Sequence, residues 1–244
     1  MRNLKVKMAY NGAFYHGYQR QNNAVTIQQT VEEALSKLLM EEVTINGCSR
    51  TDAGVHAREY VFNFKTKNPI SCEGLVIGTN NLLSDDIALL EVCEVSDDFH
   101  ARFDCKGKEY EYVIHNSTLK NPFYANTAMR YKYHLDEKML DEEAKAFIGK
   151  YDFKSFCSAD CDKEDTTRTI FSFDVVREGD LVKMRVSGDG FLYNMVRIMV
   201  GTLICVNEGK IKKGTIKDII EQKDRTKAGI TVVPDGLYLN KVFY

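Results

Sequence analysis

The chain has 244 residues, 44% of them hydrophobic and 28% charged, enough apolar side chain to bury a core in one large domain or two of roughly 100 to 150 residues, which excludes a disordered polymer. No run of about 18 apolar residues occurs, and the start MRNLKVKMAYNG lacks the apolar stretch of a secretory signal, so a membrane span is not expected and a cytoplasmic location is. The net charge of −2, from 33 basic and 35 acidic side chains, weighs against a polyanion partner unless the cations gather on one face. Seven cysteines (Cys48, Cys72, Cys93, Cys105, Cys157, Cys161, Cys205) are scattered without a CxxC pair, so they read as reduced thiols and no metal site is expected, including at the acidic stretch FCSADCDKED.

In chain order, LKVKMAYNG alternates at a period of two and ends in Asn11-Gly12, a strand and turn. A loop rich in Gly, His, Tyr, Gln and Arg follows. TIQQTVEEALSKLLMEE opens at Thr26 and spaces Ile27, Val31, Ala34, Leu35, Leu38 and Leu39 as a helix does. VTINGC and EYVFNFKT read as strands flanking SRTDAGVHA; a helix around Gly74 to Leu83 leads to the strand IALLEVCEV. The second half opens near Cys105 with the alternating strand KEYEYVIHN, then a polar helix from about Asp136 to Ile148. TRTIFSFDVVREG and DLVKMRVSGDG form a hairpin at Glu178-Gly179-Asp180. NMVRIMVGTLICVNEG, apolar on most sides, reads as a buried helix; a shorter helix at Thr215 to Gln222 and a strand near GLYLNKVFY close the chain. Hairpins among mixed elements predict an α+β fold with a largely antiparallel sheet. The divisions expected are 1–104 and 105–244.

The string Ser49-Arg50-Thr51-Asp52-Ala53-Gly54-Val55-His56-Ala57 gathers Arg, Asp, Gly and His between two apolar strands, where a reactive loop would sit. An ordinary turn, with Asp52 bonded to a backbone N–H, is the plainer alternative. The string resembles the catalytic loop GRTDAGVHA of the tRNA pseudouridine synthase A family, and the resemblance continues along the chain. YNGAFYHGYQRQ with TIQQTVEEAL, GTNNLLSDDI, FHARFDCKGKEYEYVIHN, FLYNMVRIMVGTL and AGITVVPDGLYLNKVFY are similar to the family's other blocks, in the family's order.

The resemblance implies a cofactor-free and metal-free isomerase that turns uridine into pseudouridine at positions 38, 39 and 40 of the tRNA anticodon arm. It implies a pseudouridine synthase fold: two related ferredoxin-like α+β halves sharing a mixed sheet, with a central cleft. It also implies a homodimer, which could assemble a basic groove that one subunit lacks. The catalytic carboxylate would be Asp52, a nucleophile towards ribose C1′ or base C6 or a stabiliser of charge. Burial favours the neutral acid, and the family supplies a cation from its MVR motif, here Arg197. An Arg within NMVRIMVGTL calls for a partner on physical grounds as well, and a structural ion pair would also satisfy it. Tyr110 corresponds to the active-site tyrosine, able to stack on uracil and to help remove the C5 proton. Tyr112 lies on the same strand face, and only the resemblance selects Tyr110. Arg50 would assist base flipping. His16, Gln19, Arg20, His56, His100, Arg102 and Arg168 are further RNA-contact candidates, each equally able to serve as a loop hydrogen-bonder.

Three departures stand out. Ser49 replaces a usual Gly, Tyr18 a usual Trp, and TVVP (231–234) a usual TAPP, while the segment 158–165 is acidic. A divergent copy acting on another RNA, a catalytically silent tRNA-binding or tRNA-folding protein, and a glycosidic hydrolase using Asp52 with a second acid are the rivals. No motif places that second acid near Asp52.

Overall fold

A computed structural model describes residues 1–158 and 164–244. The chain divides into one unit of Met1–Lys106 with Tyr238–Tyr244, and a second of Gly107–Leu237.

In the first unit, strand β1 (Arg2–Tyr10) is followed by helix α1 (Ile27–Leu39), β2 (Asn46–Gly47), β3 (His56–Thr66), α2 (Cys72–Asn80) and β4 (Ile87–Val95). The sheet runs β4-β1-β3, antiparallel throughout, with β2 antiparallel on the outer edge of β3. This βαββαβ succession in the order 4-1-3-2 is the ferredoxin-like arrangement. The chain's last strand, β10 (Leu237–Phe243), joins β3 in parallel, with Tyr238 opposite His56 and Leu239 opposite Ala57. Alternation in β1 puts Leu4, Val6 and Met8 fully inside, on the registers of Phe64, Phe62 and Tyr60. Helix α1 starts where Thr26 accepts from the Gln29 N–H.

In the second unit, β5 (Gly107–Asn116), β6 (Met129–Tyr131), α3 (Glu137–Ala144), β7 (Gly149–Asp152), β8 (Thr167–Glu178), β9 (Leu181–Gly188), α4 (Met195–Asn207) and α5 (Ile216–Gln222) follow in order. The sheet order is β5-β9-β8-β7, antiparallel, with β6 parallel on β5. The β-α-β-β-α run of β5, α3, β8, β9 and α4 repeats the opening of the first unit. Helix α4 is the core: its side chains are buried from Met195 to Val206 except Arg197, as its all-round apolar sequence predicts.

The fold is α+β with mixed, largely antiparallel pairing, as expected. The main boundary differences are short. VTINGC contributes only Asn46–Gly47 to a ladder, β3 begins at His56 rather than Glu59, and α3 ends at Ala144 before a 3-10 turn at Lys145–Phe147. The seven-thiol reading needs correction: Cys157 is disulfide-bonded, while Cys48, Cys72, Cys93, Cys105 and Cys205 are free. Odd count and scatter argue against a disulfide framework but say nothing about a single bridge. Cys161 and most of the acidic 158–165 segment lie outside the described residues. Among the described residues, no helix is long and apolar enough to cross a membrane, and no cluster of metal ligands is present.

Candidate active site

The loop SRTDAGV leaves β2 and enters β3 over a bed of tyrosines. The Tyr60 hydroxyl donates to the Ser49 carbonyl and accepts the Ser49 N–H at 3.3 Å. Tyr10 and Thr51 share a buried hydroxyl contact of 2.8 Å. Tyr18 stacks on Tyr60 with ring centroids 4.4 Å apart, and its N–H donates to the Thr51 carbonyl at 3.0 Å. Burial pushes the phenols of Tyr18 and Tyr60 well up, so both stay neutral. Gly17, at φ +87°, passes so close that a Cβ there would sit 2.8 Å from the Thr51 carbonyl oxygen. The Gly54 N–H donates to the Tyr15 carbonyl at 3.3 Å, and Val55 closes a turn onto the Asp52 carbonyl at 3.2 Å. Asp52, half-buried, therefore rides on a backbone fixed on both sides. Ser49 is not among the residues with positive φ, so its side chain replaces the usual Gly without backbone strain, and Tyr18 fills its position by stacking.

In the second unit, Tyr110 lies on β5 opposite Val186 of β9, 7% exposed, with its ring edge-on to Phe191 at 5.1 Å. Tyr112 is fully buried and donates to the Val233 carbonyl at 2.7 Å, a structural hydroxyl. Burial pushes its pKa up, more than the nearby Arg197 guanidinium lowers it.

Arg197 occupies the first turn of α4, half-buried. Its Nε donates to the Val232 carbonyl at 2.7 Å and its Nη1 to Asn194 Oδ1 at 2.7 Å. The Val232 carbonyl is delivered by a backbone-to-backbone contact: a Cβ on Gly201 of α4 would lie 1.8 Å from the Ile230 carbonyl oxygen. Gly229 N–H donates to Thr202 Oγ1 at 2.9 Å, and Arg225 Nη1 holds the Gly229 carbonyl at 2.9 Å. The segment AGITVVPD is thus docked along α4 and tied to both Arg197 and Tyr112. Sequence reasoning marked Arg197 and missed its acceptors Asn194 and Val232. A carbonyl carries no residue-type signature, and Asn194 read as the first residue of an apolar helix.

The other candidates differ in what they present. Arg50, Gln19 and His16 are exposed. Arg20 is held by Glu32 of α1, Nη2 to Oε2 at 2.9 Å, with that carboxylate 6% exposed. His56 is 1% exposed, accepts the Gly12 N–H on Nδ1 at 3.1 Å and stacks on Tyr238. Its imidazole supports the loop rather than facing outward. His100 accepts the Arg102 N–H on Nδ1 and packs on exposed Phe103, over which Arg102 also lies. Arg168 donates to the Asp165 carbonyl at 3.2 Å and to the Thr167 carbonyl.

A family model described as tRNA pseudouridine synthase matches residues 144–244. Over the full length of both chains, the sequence is 43% identical in 244 residues to tRNA pseudouridine synthase A of Thermoanaerobacter sp. (strain X514). It is 46% identical, again with complete coverage of both, to tRNA pseudouridine synthase A 2 of Clostridium perfringens (strain 13 / Type A). Among solved structures, a chain of a Cbf5-Nop10-Gar1 complex aligns with 82% of this chain and 53% of that one, at TM-score 0.36 and 10% identity. The full-length identities place the chain in the tRNA pseudouridine synthase A family.

Proposed function

We propose that this isomerase converts uridines 38, 39 and 40 of the tRNA anticodon arm to pseudouridine, with Asp52 as the nucleophile. The N1–C1′ bond breaks, the uracil turns while held, C5 bonds to C1′, the C5 proton leaves and N1 gains a proton, so the product is an isomer and no oxidant or reductant is needed. The carboxylate can add to C1′ or to C6, or stabilise charge at C1′. Arg197 is the cation that keeps Asp52 ionised as water is excluded. Tyr110 stacks on the uracil and assists loss of the C5 proton. Arg50 fills space near the vacated base position; His100, Arg102 and Arg168 with Gln19 contact the RNA. The enzyme works in the cytoplasm as a homodimer presenting one tRNA across two subunits.

The observation that carries this reading is full-length identity above 40% to proteins named for the activity, together with an intact SRTDAGVHA loop held by Tyr10, Tyr18 and Tyr60. Such rigidity suits a nucleophile that must meet one atom of a flipped nucleotide. The test is release of tritium from tRNA labelled at uridine C5, with pseudouridine confirmed by mass spectrometry after carbodiimide labelling. Release by the native protein and none by Asp52→Asn is expected. Free uracil instead of pseudouridine would make the protein a hydrolase, and tight tRNA binding without release would make it a silent binding protein. A divergent copy with another RNA substrate is the second reading, favoured by the net charge of −2. It predicts release from that RNA alone.

A further inference from the structure

Arg197 is the only charged side chain of α4, and it stands in the helix's first turn, where the helix dipole disfavours a cation. Partners rather than the helix therefore set its place. One is the Val232 carbonyl and another is the side chain of Asn194. Asn194 precedes the helix with φ 60° and ψ 8°, and its side chain makes no cap hydrogen bond. An asparagine at a helix start ordinarily accepts a backbone N–H two or three residues on. Here the amide oxygen is turned to the Arg197 guanidinium instead. Arg197 has only donors, so the amide oxygen must face it, and the amide nitrogen then donates to Ser158 Oγ at 2.9 Å. Ser158 is itself anchored, its N–H donating to the Tyr193 carbonyl at 3.3 Å. The left-handed backbone at Asn194 is one that few residues with a Cβ adopt, and Asn is among those that tolerate it.

We infer that Asn194 is a positioning residue for the isomerisation: it orients the Arg197 guanidinium through Oδ1 while Ser158 locks the amide. This rests on the role proposed above for Arg197. The left-handed backbone takes the side chain away from the usual capping geometry, and its oxygen is held by Arg197 instead.

The test measures kcat and KM on tRNA for Asn194→Gly, Ser158→Ala, Arg197→Lys, Arg197→Met and the double variant Asn194→Gly with Arg197→Lys. Glycine keeps the left-handed backbone without strain, so folding should survive. For Asn194→Gly, kcat should fall by about tenfold or more with KM within about threefold, the pattern of a misoriented group rather than lost binding. Ser158→Ala should shift kcat the same way by roughly two- to fivefold. In the Arg197→Lys background, Asn194→Gly should add less than about twofold, because both changes act on one group. Native kcat in Asn194→Gly, or an equal extra loss on top of Arg197→Lys, would overturn the inference. Should Asn194→Gly fail to fold, Ser158→Ala decides: lowered kcat at unchanged KM supports the positioning role, and native kcat refutes it. Native turnover in Arg197→Met would remove the role of Arg197 itself, an outcome distinct from failure at Asn194 alone.

Discussion

At the scale of single residues, the loop bearing Asp52 combines one proposed reactive group with several that hold it. Asp52→Asn preserves shape and removes the nucleophile, so tritium release should vanish while tRNA affinity stays within about threefold and the melting temperature moves little. Turnover near the native rate would end the assignment. Tyr60→Phe probes the support. The hydroxyl bridges both backbone groups of Ser49, and its loss leaves a part-buried carbonyl without that donor, a cost of about 1 kcal/mol in urea denaturation. The slackened loop should lower kcat more than it raises KM. Stability and kcat both at native values would show that the loop holds its shape without the bridge. The sequence made these two residues unequally visible. Asp52 sits in a run of unusual residue types, whereas Tyr60 is one more buried side chain of a mostly buried strand. Its hydroxyl matters because the chain folds back over it. His56 shows the reverse: its type suggested RNA, and its burial assigns it to the support of the loop.

At the scale of elements, what could be read depended on length. β1 and β5 showed a period of two and β4, β8 and β9 read as strands, all of 8 to 12 residues, while β2, β6 and β7, of 2 to 4 residues, are too short to show one. Pairing across long separations was also hidden. Nothing local in GLYLNKVFY announces that it adds to β3, and nothing in AGITVVPDG announces that it lies against α4 through Gly201. That contact gives a sharp prediction. Gly201→Ala improves helix propensity by roughly 1 kcal/mol, yet its methyl would stand 1.8 Å from the Ile230 carbonyl oxygen, so the segment must lift away. The overpacking should outweigh the propensity gain, for a net loss of about 1–3 kcal/mol. Because the same segment delivers the Val232 carbonyl to Arg197, activity should fall in the surviving folded fraction as well. A more stable or fully active Gly201→Ala protein would show that the segment can shift without disturbing Arg197.

At the scale of the whole molecule, a charge of −2 must be reconciled with a polyanionic substrate, and the side chains that can do so are those not already committed to internal partners. Phosphate neutralisation releases counterions, so log affinity should fall linearly with log salt; about five phosphate contacts would give a slope of roughly −3.5 to −4.5. Arg50 is exposed on the Asp52 loop, and Arg50→Ala should reduce the slope by about 0.7 to 0.9 while leaving the melting temperature near native. Arg20 has the same charge but is engaged by Glu32, a carboxylate that also accepts the Ile45 N–H and the Gln28 side chain. Arg20→Ala should therefore act chiefly on stability, by leaving a carboxylate that is 6% exposed short of its cation, and should move the salt slope far less. Filter-binding titrations from 50 to 300 mM salt beside thermal melts separate the two. Equal slope changes from both variants, with no loss of stability in Arg20→Ala, would mean that the ion pair opens to receive RNA and that internal pairing does not decide which cations this acidic protein spends on tRNA.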